Sequence, residues 1–289
     1  MNLTIKEAAM NKNRTAKDWL LSFLKYCYMG LCVIVALFPI IWVIMSSFKS
    51  NKEILSNGLA LPTSFSFIGY QQALEISPIM KFFFNSVVIT TISTVLNVLF
   101  LAMAGYVFAR CRFRGKNALY MLLSVSMVIP MTAVINPVYT VIKTLGLSDT
   151  RTGLIIVYAA LSMPLSLMIM RGTFASIPPS LEEAAYVDGA GFVRTFFQIM
   201  MPCAKGGLAS AAVLAFLNGW NEFTFALVLT SSTDVRTLPL SLGYFTSSFS
   251  FNYTAMFAAI TMAVIPSIVV FTIFQEQVCS SLTAGAVKE

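Results

Sequence analysis

The chain contains no histidine and little charge. Of its 289 residues, 11% are charged, less than half of the roughly 25% found in soluble domains. The absence of histidine excludes the usual proton shuttle at neutral pH and metal sites with histidine ligands. The cysteines have no C-x-x-C spacing, so they indicate neither a zinc site nor a disulfide framework, and we expect reduced thiols. They are Cys27, Cys32, Cys111, Cys203 and Cys279.

Two further absences limit the function classes. The chain has no G-x-x-x-x-G-K-[ST] motif and therefore lacks the loop that cradles nucleotide phosphates. Without histidine and without a clustered acidic pair, the sequence does not assemble a hydrolytic site. We therefore predict that the chain is not an enzyme and binds no metal or cofactor itself. Any energy for its function must come from a partner or from a gradient.

Long apolar segments dominate the rest of the sequence. Hydrophobic residues make up 57% of the chain and the mean hydropathy is +0.80, which indicates an integral membrane protein. A helix needs roughly 20 mostly apolar residues to cross a bilayer. Six segments meet this requirement and predict an all-α membrane protein with six transmembrane helices, at about 20–46, 82–109, 117–141, 153–170, 207–230 and 254–275.

The net charge of +7 fits membrane topology better than nucleic-acid binding, because the positive residues cluster at the ends of the apolar segments. In the predicted topology, twelve Lys and Arg residues lie on one side of the membrane and six on the other, with Lys25 inside the first span. This bias predicts a multi-pass protein of the cell membrane with both termini in the cytoplasm. We expect cytoplasmic tails at 1–19 and 276–289 and a transmembrane domain at 20–275. The arginine run at 110–114 is the strongest topology anchor.

The longest internal loop, 171–206, contains a polar island that is unsuited to a bilayer. Ser180 and Glu183 match the capping box S-x-x-E, which predicts a helix start. Glu182 and Glu183 also fall in the first helical turn, where the helix dipole favours negative charge. Glu183 is thus at least a helix cap. A cap alone does not explain an amphipathic element exposed to the cytoplasm, whereas docking of a partner does.

The island reads as two short helices joined by a turn. Ala184 and Ala185 are strong helix formers without bulk, so a groove wall can approach them closely. Asp188 and Gly189 end the first helix, with Gly189 available for a left-handed turn.

A second helix is predicted from residue 192 to about 200. Phe192, Phe196 and Ile199 share one face at helical spacing. Pro202 ends or kinks this helix before the next span.

This pattern resembles a known family. The run Glu183-Ala184-Ala185 with Gly189, followed after nine residues by Ile199-x-Met201-Pro202, is similar to the EAA loop of membrane subunits of bacterial ATP-binding-cassette (ABC) importers. The fuller run 182–190 resembles the carbohydrate-uptake, maltose-type branch, and so does Trp220-Asn221-Glu222-Phe223. Two departures are Met201, where Leu is usual, and Gly206, where Pro is common.

The resemblance implies a permease domain whose island is the coupling helix between spans four and five. Expected partners are a second permease subunit in a heterodimer, a cytoplasmic ATPase dimer that carries ATP and Mg, an extracellular solute-binding protein and the lipid bilayer, with no nucleic acid. The expected ATPase-coupling residues are Glu182, Glu183, Ala184, Ala185, Asp188, Gly189, Ala190, Ile199 and Pro202.

Span five contains a group of polar and aromatic residues, which we expect to line a translocation path or gate. These residues are Asn218, Trp220, Asn221 and Glu222. Polar residues inside spans are costly, and a functional role is the default interpretation. A Trp ring beside amides and a carboxylate suits a sugar surface. Alternatively, Glu222 is paired or solvated near the interface and supports helix packing.

Other transport classes remain open from the sequence. An importer subunit of the same kind for another solute, such as glycerol phosphate or a polyol, is not excluded by the spans. A secondary transporter or channel driven by an ion gradient is the alternative of a different class. Such proteins usually have paired repeats and buried carboxylates at mid-membrane. The chain has one such carboxylate candidate and no evident repeat, so we favour the importer subunit.

Overall fold

The computed structural model describes the backbone of residues 16–245 and 251–286. Its regular elements are helical throughout these ranges. In chain order they are α1 (Ala16–Ser46), α2 (Asn51–Ser56), α3 (Ile68–Ile76), α4 (Ile79–Arg110), α5 (Lys116–Val125), a 3-10 turn (Ser126–Val128), α6 (Met131–Thr144), α7 (Arg151–Leu161), α8 (Met163–Ser176), α9 (Ser180–Val187), α10 (Phe192–Thr195), a π-helical turn (Phe196–Met200), α11 (Met201–Cys203), α12 (Lys205–Trp220), α13 (Thr224–Leu229), a 3-10 segment (Leu238–Phe245) and α14 (Tyr253–Ala286).

The helices confirm the all-α prediction, but they divide the membrane segments differently. Three stretches within the described ranges are long and apolar enough to cross a bilayer, in α1, α4 and α14. Three helix pairs meet the same test only together, and they are bent by 110° (116–144), 49° (151–176) and 77° (192–220). The structure therefore has three spanning helices, or up to six if each bent pair is one span.

The first two bends correct the predicted spans 117–141 and 153–170, and a break at 221–223 corrects the predicted span 207–230, so that none of the three is a single straight helix. Pro130 precedes α6 in an extended conformation, and Pro164 lies in the first turn of α8. Proline lacks a backbone N–H and disfavours helix in the residue before it, so both breaks follow from local chemistry. The predicted fifth span ends at Trp220, and a separate short helix, α13, follows it.

Helix α4 is the centre of the fold and packs against α7, α8 and α12. Its buried face is rich in small and polar residues, which allow helices in a membrane to approach closely. Gly105 shows how close they come, since a Cβ added there would lie 2.6 Å from Cβ of Met170. Asn85 and Asn97 donate side-chain hydrogen bonds to backbone carbonyls of neighbouring segments, as expected for packing contacts.

Helix α1 stands apart from this core. The 18-residue window that identifies it as a span has no buried residue. Near its C-terminal end, the ring of Trp42 packs edge-on against Phe257 of α14. The apolar surface of α1 therefore faces lipid or another protein.

The loop after α1 contains the short helix α3 and, before it, a capping box at the start of α2 that the sequence pattern did not indicate to us. The Ser50 side chain accepts from the Glu53 backbone N–H, and the Glu53 carboxylate accepts from the Ser50 N–H at 2.8 Å. Hydrogen bonds from Thr63 and then Ser50 lower the pKa of Glu53 to about 2. The carboxylate is therefore ionised at neutral pH.

Candidate functional site

The island of the 171–206 loop begins differently from the prediction. Pro179 has helical dihedral angles and precedes α9, and its carbonyl accepts from the N–H groups of Glu182 and Glu183 at 3.0 and 3.1 Å. Ser180 is therefore already inside the helix, and the predicted capping box with Glu183 is wrong. Proline is favoured at a helix start because its missing N–H has no intrahelical partner there.

The end of α9 confirms the predicted turn. Gly189 has φ +79°, and its N–H donates to the carbonyl of Tyr186 at 3.0 Å, while the N–H of Ala190 donates to Ala185 at 2.9 Å. These two bonds form a Schellman motif, which satisfies the last carbonyls of the helix. The turn reverses the chain so that α10 packs beside α9.

An ion pair ties α9 to the end of α4. Nε of Arg110 lies 3.3 Å from Oε2 of Glu182, and the two side chains are only 14% and 13% exposed. Nη2 of Arg110 also donates to the carbonyl of Ile177. In the sequence, Arg110 belongs to the arginine run that anchors the topology, and nothing in the local pattern indicates its partner 72 positions away.

Aromatic packing ties the second half of the island to the same helix. The ring centroid of Tyr106 in α4 lies 5.4 Å from that of Phe192 and 5.1 Å from that of Phe196. Phe174 of α8 completes the cluster at 5.4 Å from Tyr106. Such pairs stabilise by about 0.5–1.5 kcal/mol each beyond the area they bury. The island is therefore attached to α4 at both of its helices.

The nine predicted coupling residues differ in their exposure. Three face the chain itself: Glu182 binds Arg110, and Ala185 and Ala190 are buried. Ile199 is partly buried. The remaining five are exposed, and these are Glu183, Ala184, Asp188, Gly189 and Pro202.

Large apolar side chains surround the exposed group. Val187 is 87% exposed and Val193 66%, and Leu181, Tyr186 and Phe197 are also exposed. A cluster of exposed apolar side chains in a polar connecting loop marks an interaction surface. We call the exposed face of residues 181–197 the docking face.

Glu222 is buried and caps a helix. Its two carboxylate oxygens accept from the backbone N–H groups of Phe225 at 2.7 Å and Ala226 at 3.0 Å, in the first turn of α13. Asp149 also accepts hydrogen bonds from the backbone, beyond the other end of α13. Its Oδ1 accepts from the N–H groups of Ser231 and Ser232. Burial raises the pKa of Asp149, but these hydrogen bonds outweigh it and the pKa is lowered overall.

The Trp220 ring is packed against neighbouring helices. It is 2% exposed, stacks on Phe216 with centroids 5.6 Å apart, and its Nε1 donates to the carbonyl of Ala263 in α14. The expected role of Trp220 as a sugar surface stays a prediction. Asn221 is exposed, and its amide donates back to Leu217.

Asn218 lines two cavities, and Glu222 lines the smaller one. The larger cavity, of 780 Å³, lies between α6 and α7 and is apolar except for Ser126 and Asn218. The smaller has 50 Å³ and is lined by Tyr158, Ser162, Asn218 and Glu222, among others. The predicted path residues thus separate, with Asn218 and Glu222 at cavities and Trp220 and Asn221 away from them.

Comparison with known proteins places the chain in a family. Residues 101–282 match the family model described as binding-protein-dependent transport system inner membrane component, and the chain belongs to that family. It is 36% identical over 254 residues to the diacetylchitobiose uptake system permease protein NgcG of Streptomyces coelicolor, covering 87% of this chain and 84% of the relative. This family consists of ABC transporter permease subunits, which are integral proteins of the cytoplasmic membrane and not enzymes.

Two further similarities agree with this membership. The sulfoquinovosyl glycerol transport system permease protein SmoH of Agrobacterium fabrum is 31% identical, with 92% of this chain and 93% of the relative covered. A chain from the crystal structure of a bacterial ABC transporter that imports the acidic polysaccharide alginate superimposes with a TM-score of 0.79, at 25% identity, over 91% of this chain and 98% of that one.

The neighbouring glutamates of α9 allow a matched test of the attachment. We expect Glu182→Gln to weaken the contact with Arg110, because it removes one charge of a largely buried ion pair, and to speed amide exchange across 177–200. Glu183→Gln changes the same charge on the exposed side and should leave this exchange unchanged. Equal exchange in both variants, measured by hydrogen–deuterium exchange, would contradict the attachment role.

Glu222 can be tested against its exposed neighbour. Glu222→Ala removes both acceptors from the start of α13 and should destabilise the purified chain by about 0.5–2 kcal/mol, the usual cost of losing a helix cap. Asn221→Ala is the control and should leave the thermal midpoint unchanged. If Glu222→Ala has the wild-type midpoint but lower transport, the residue acts in the path and not as a cap.

Proposed function

We propose that the chain is one permease subunit of an ATP-driven importer for a sugar or oligosaccharide. The observation that carries this proposal is the docking face, which is held rigidly on α4 in a chain of the binding-protein-dependent transport family. The relatives NgcG and SmoH are named for uptake of a diacetylated disaccharide and a sugar glycerol conjugate. The similar solved chain belongs to a polysaccharide importer. A sugar is therefore the substrate class that these similarities support.

The proposed topology counts the bent pairs 116–144 and 151–176 as one span each and begins the fifth span at α12, so that 192–203 stays with the cytoplasmic island. Six spans with both termini in the cytoplasm place the 171–206 loop inside, together with the arginine run at 110–114. Helix α4 then runs from the extracellular side at Ile79 to the cytoplasmic side at Arg110. At 1.5 Å rise per residue, its 32 residues extend about 48 Å, enough to cross the whole bilayer.

An ATPase dimer is the proposed partner of the docking face. Its exposed residues Glu183, Ala184 and Asp188 lie beside apolar side chains such as Val187, a mixture that suits a protein groove better than lipid. ATP and Mg would be bound by that dimer. Closure of the dimer would push the docking face, and the contacts of Arg110 and Tyr106 would pass the motion to α4. This is a rigid-body switch of packed halves.

A second permease subunit is the proposed partner of α1. A span with no burial against its own chain needs lipid or another protein around it, and a heterodimer would supply the latter. The same subunit would close the larger cavity into a translocation path. Asn218 is the path residue that we propose from this chain, because it lines both cavities.

No observation favours the gradient-driven alternative. The interior carboxylate that could have served as an ion site, Glu222, accepts two backbone hydrogen bonds as a helix cap. The extracellular solute-binding protein completes the proposed assembly and would dock at the end of α4 opposite the docking face.

Purification of the tagged chain in a mild detergent tests the proposed assembly. We expect an ATPase subunit and a second permease in the eluate, identified by mass spectrometry, together with ATP hydrolysis. Glu183→Lys should weaken ATPase binding by about tenfold, since it reverses a charge at the positive end of the helix dipole.

The matched control is Glu75→Lys, which reverses an exposed charge on α3 at the other end of α4. It should recover the ATPase as the wild type does. Elution of the wild-type chain alone, without any nucleotide-hydrolysing partner, would overturn the proposed function.

A further inference from the structure

Lys49 is a buried cation without a carboxylate partner. The residue is 1% exposed, and its Nζ donates to the backbone carbonyl of Gly58 at 2.8 Å. Within residues 18–245 and 251–276, the ion pairs join other residues, and none reaches Lys49. A buried charge is costly unless an opposite charge compensates it. One neutral carbonyl leaves this ammonium largely uncompensated.

Lys49 also lines a cavity, which we call the Lys49 pocket. It has a volume of 180 Å³, and seven of its eight lining residues are polar, among them Lys49, Ser66, Gln72 and Asn252. The larger cavity near Asn218, in contrast, is almost entirely apolar.

Hydrogen bonds hold the walls of the Lys49 pocket in place. Asn51 donates to the carbonyl of Phe251 and accepts from the N–H of Thr254, both at 3.1 Å. Asn252 donates to Oε1 of Gln72 at 2.9 Å. Because Gln72 uses its oxygen for this bond, its amide nitrogen can donate to a ligand. The Ser66 hydroxyl accepts from the Ile68 N–H at 3.3 Å and can donate in the same way.

These groups match one carboxylate. An ammonium with neutral N–H and O–H donors forms strong charge-assisted hydrogen bonds to carboxylate oxygens. The volume lies below the roughly 300–1,000 Å³ of pockets that enclose whole small molecules, so the pocket accommodates the tip of a side chain better than a sugar. Its position is the end of the molecule opposite the docking face, because α3, which carries Gln72, leads directly into the first turn of α4.

We propose that the Lys49 pocket binds a single carboxylate side chain of the solute-binding protein. The partner's acidic residue enters the pocket, pairs with Lys49 and accepts from Gln72 and Ser66. This proposal rests on the proposed function, which supplies the partner at this end. Lys49 then acts in docking of the partner. If its only role were the structural contact with Gly58, its charge would not affect that docking.

The test measures the affinity of the solute-loaded binding protein for the assembled transporter in nanodiscs. Lys49→Met keeps the length of the side chain and removes its charge, and it should raise Kd by about tenfold or more, as for loss of one member of a buried charge pair. Lys52→Met removes an exposed lysine three residues further on and should leave Kd unchanged. Lys49→Arg keeps the charge and should retain most of the affinity.

Gln72→Glu keeps the proposal testable if Lys49→Met fails to assemble. The new carboxylate still accepts from Asn252 and places a negative charge inside the Lys49 pocket. We expect it to raise the thermal midpoint of the transporter and to weaken partner binding at the same time. A structural role of Lys49 alone predicts the first effect without the second.

Three outcomes separate the possibilities. Weaker binding in Lys49→Met and Gln72→Glu, with normal binding in Lys52→Met, supports the proposal. Equal Kd in all variants overturns the proposal. This holds even if sodium acetate raises the thermal midpoint of the wild type more than an equal concentration of sodium chloride does, because the Lys49 pocket then binds a free carboxylate anion and not a side chain of the partner. No binding of the partner by the wild type overturns the proposed function itself.

Discussion

The contact between Arg110 and Glu182 is the constraint on which the functional geometry depends. The guanidinium at the end of α4 also binds the carbonyl of Ile177, so it fixes the loop just before α9 as well as α9 itself. Tyr106, one turn earlier on α4, packs on the two aromatic rings of the island. Together these contacts attach the island to α4, which is the link that the proposed function needs between the docking face and the membrane helices.

The other interior carboxylates also hold backbone segments in place. Glu222 caps the start of α13 and Asp149 binds the segment beyond its end. A short helix placed after a break at Asn221–Phe223 would otherwise leave its first N–H groups without partners, which is costly away from water. In the motif at 218–223, Glu222 therefore holds the start of a broken helix in place.

The sequence predicted the features that depend on local chemistry. The left-handed turn at Gly189 and three of the six predicted spans follow from residue spacing and conformational preference, and the structure confirms them. The features that it missed depend on contacts far apart in the chain. Arg110 finds Glu182, Trp220 turns toward Ala263, and Pro179 displaces the expected cap of Ser180. Periodicity does not encode such partners, because several helix faces could have received each side chain.

The most direct test of the rigid link is a distance measurement by pulsed electron spin resonance on the assembled transporter. Spin labels at Met103 in α4 and at Val187 in α9, in a background without the five native cysteines, report whether the island moves with its own helix. The account predicts one unchanged distance in the nucleotide-free and ATP-bound states, while the distance from Val187 to the second permease changes. A shift between Met103 and Val187 as large as the intersubunit change would contradict the account.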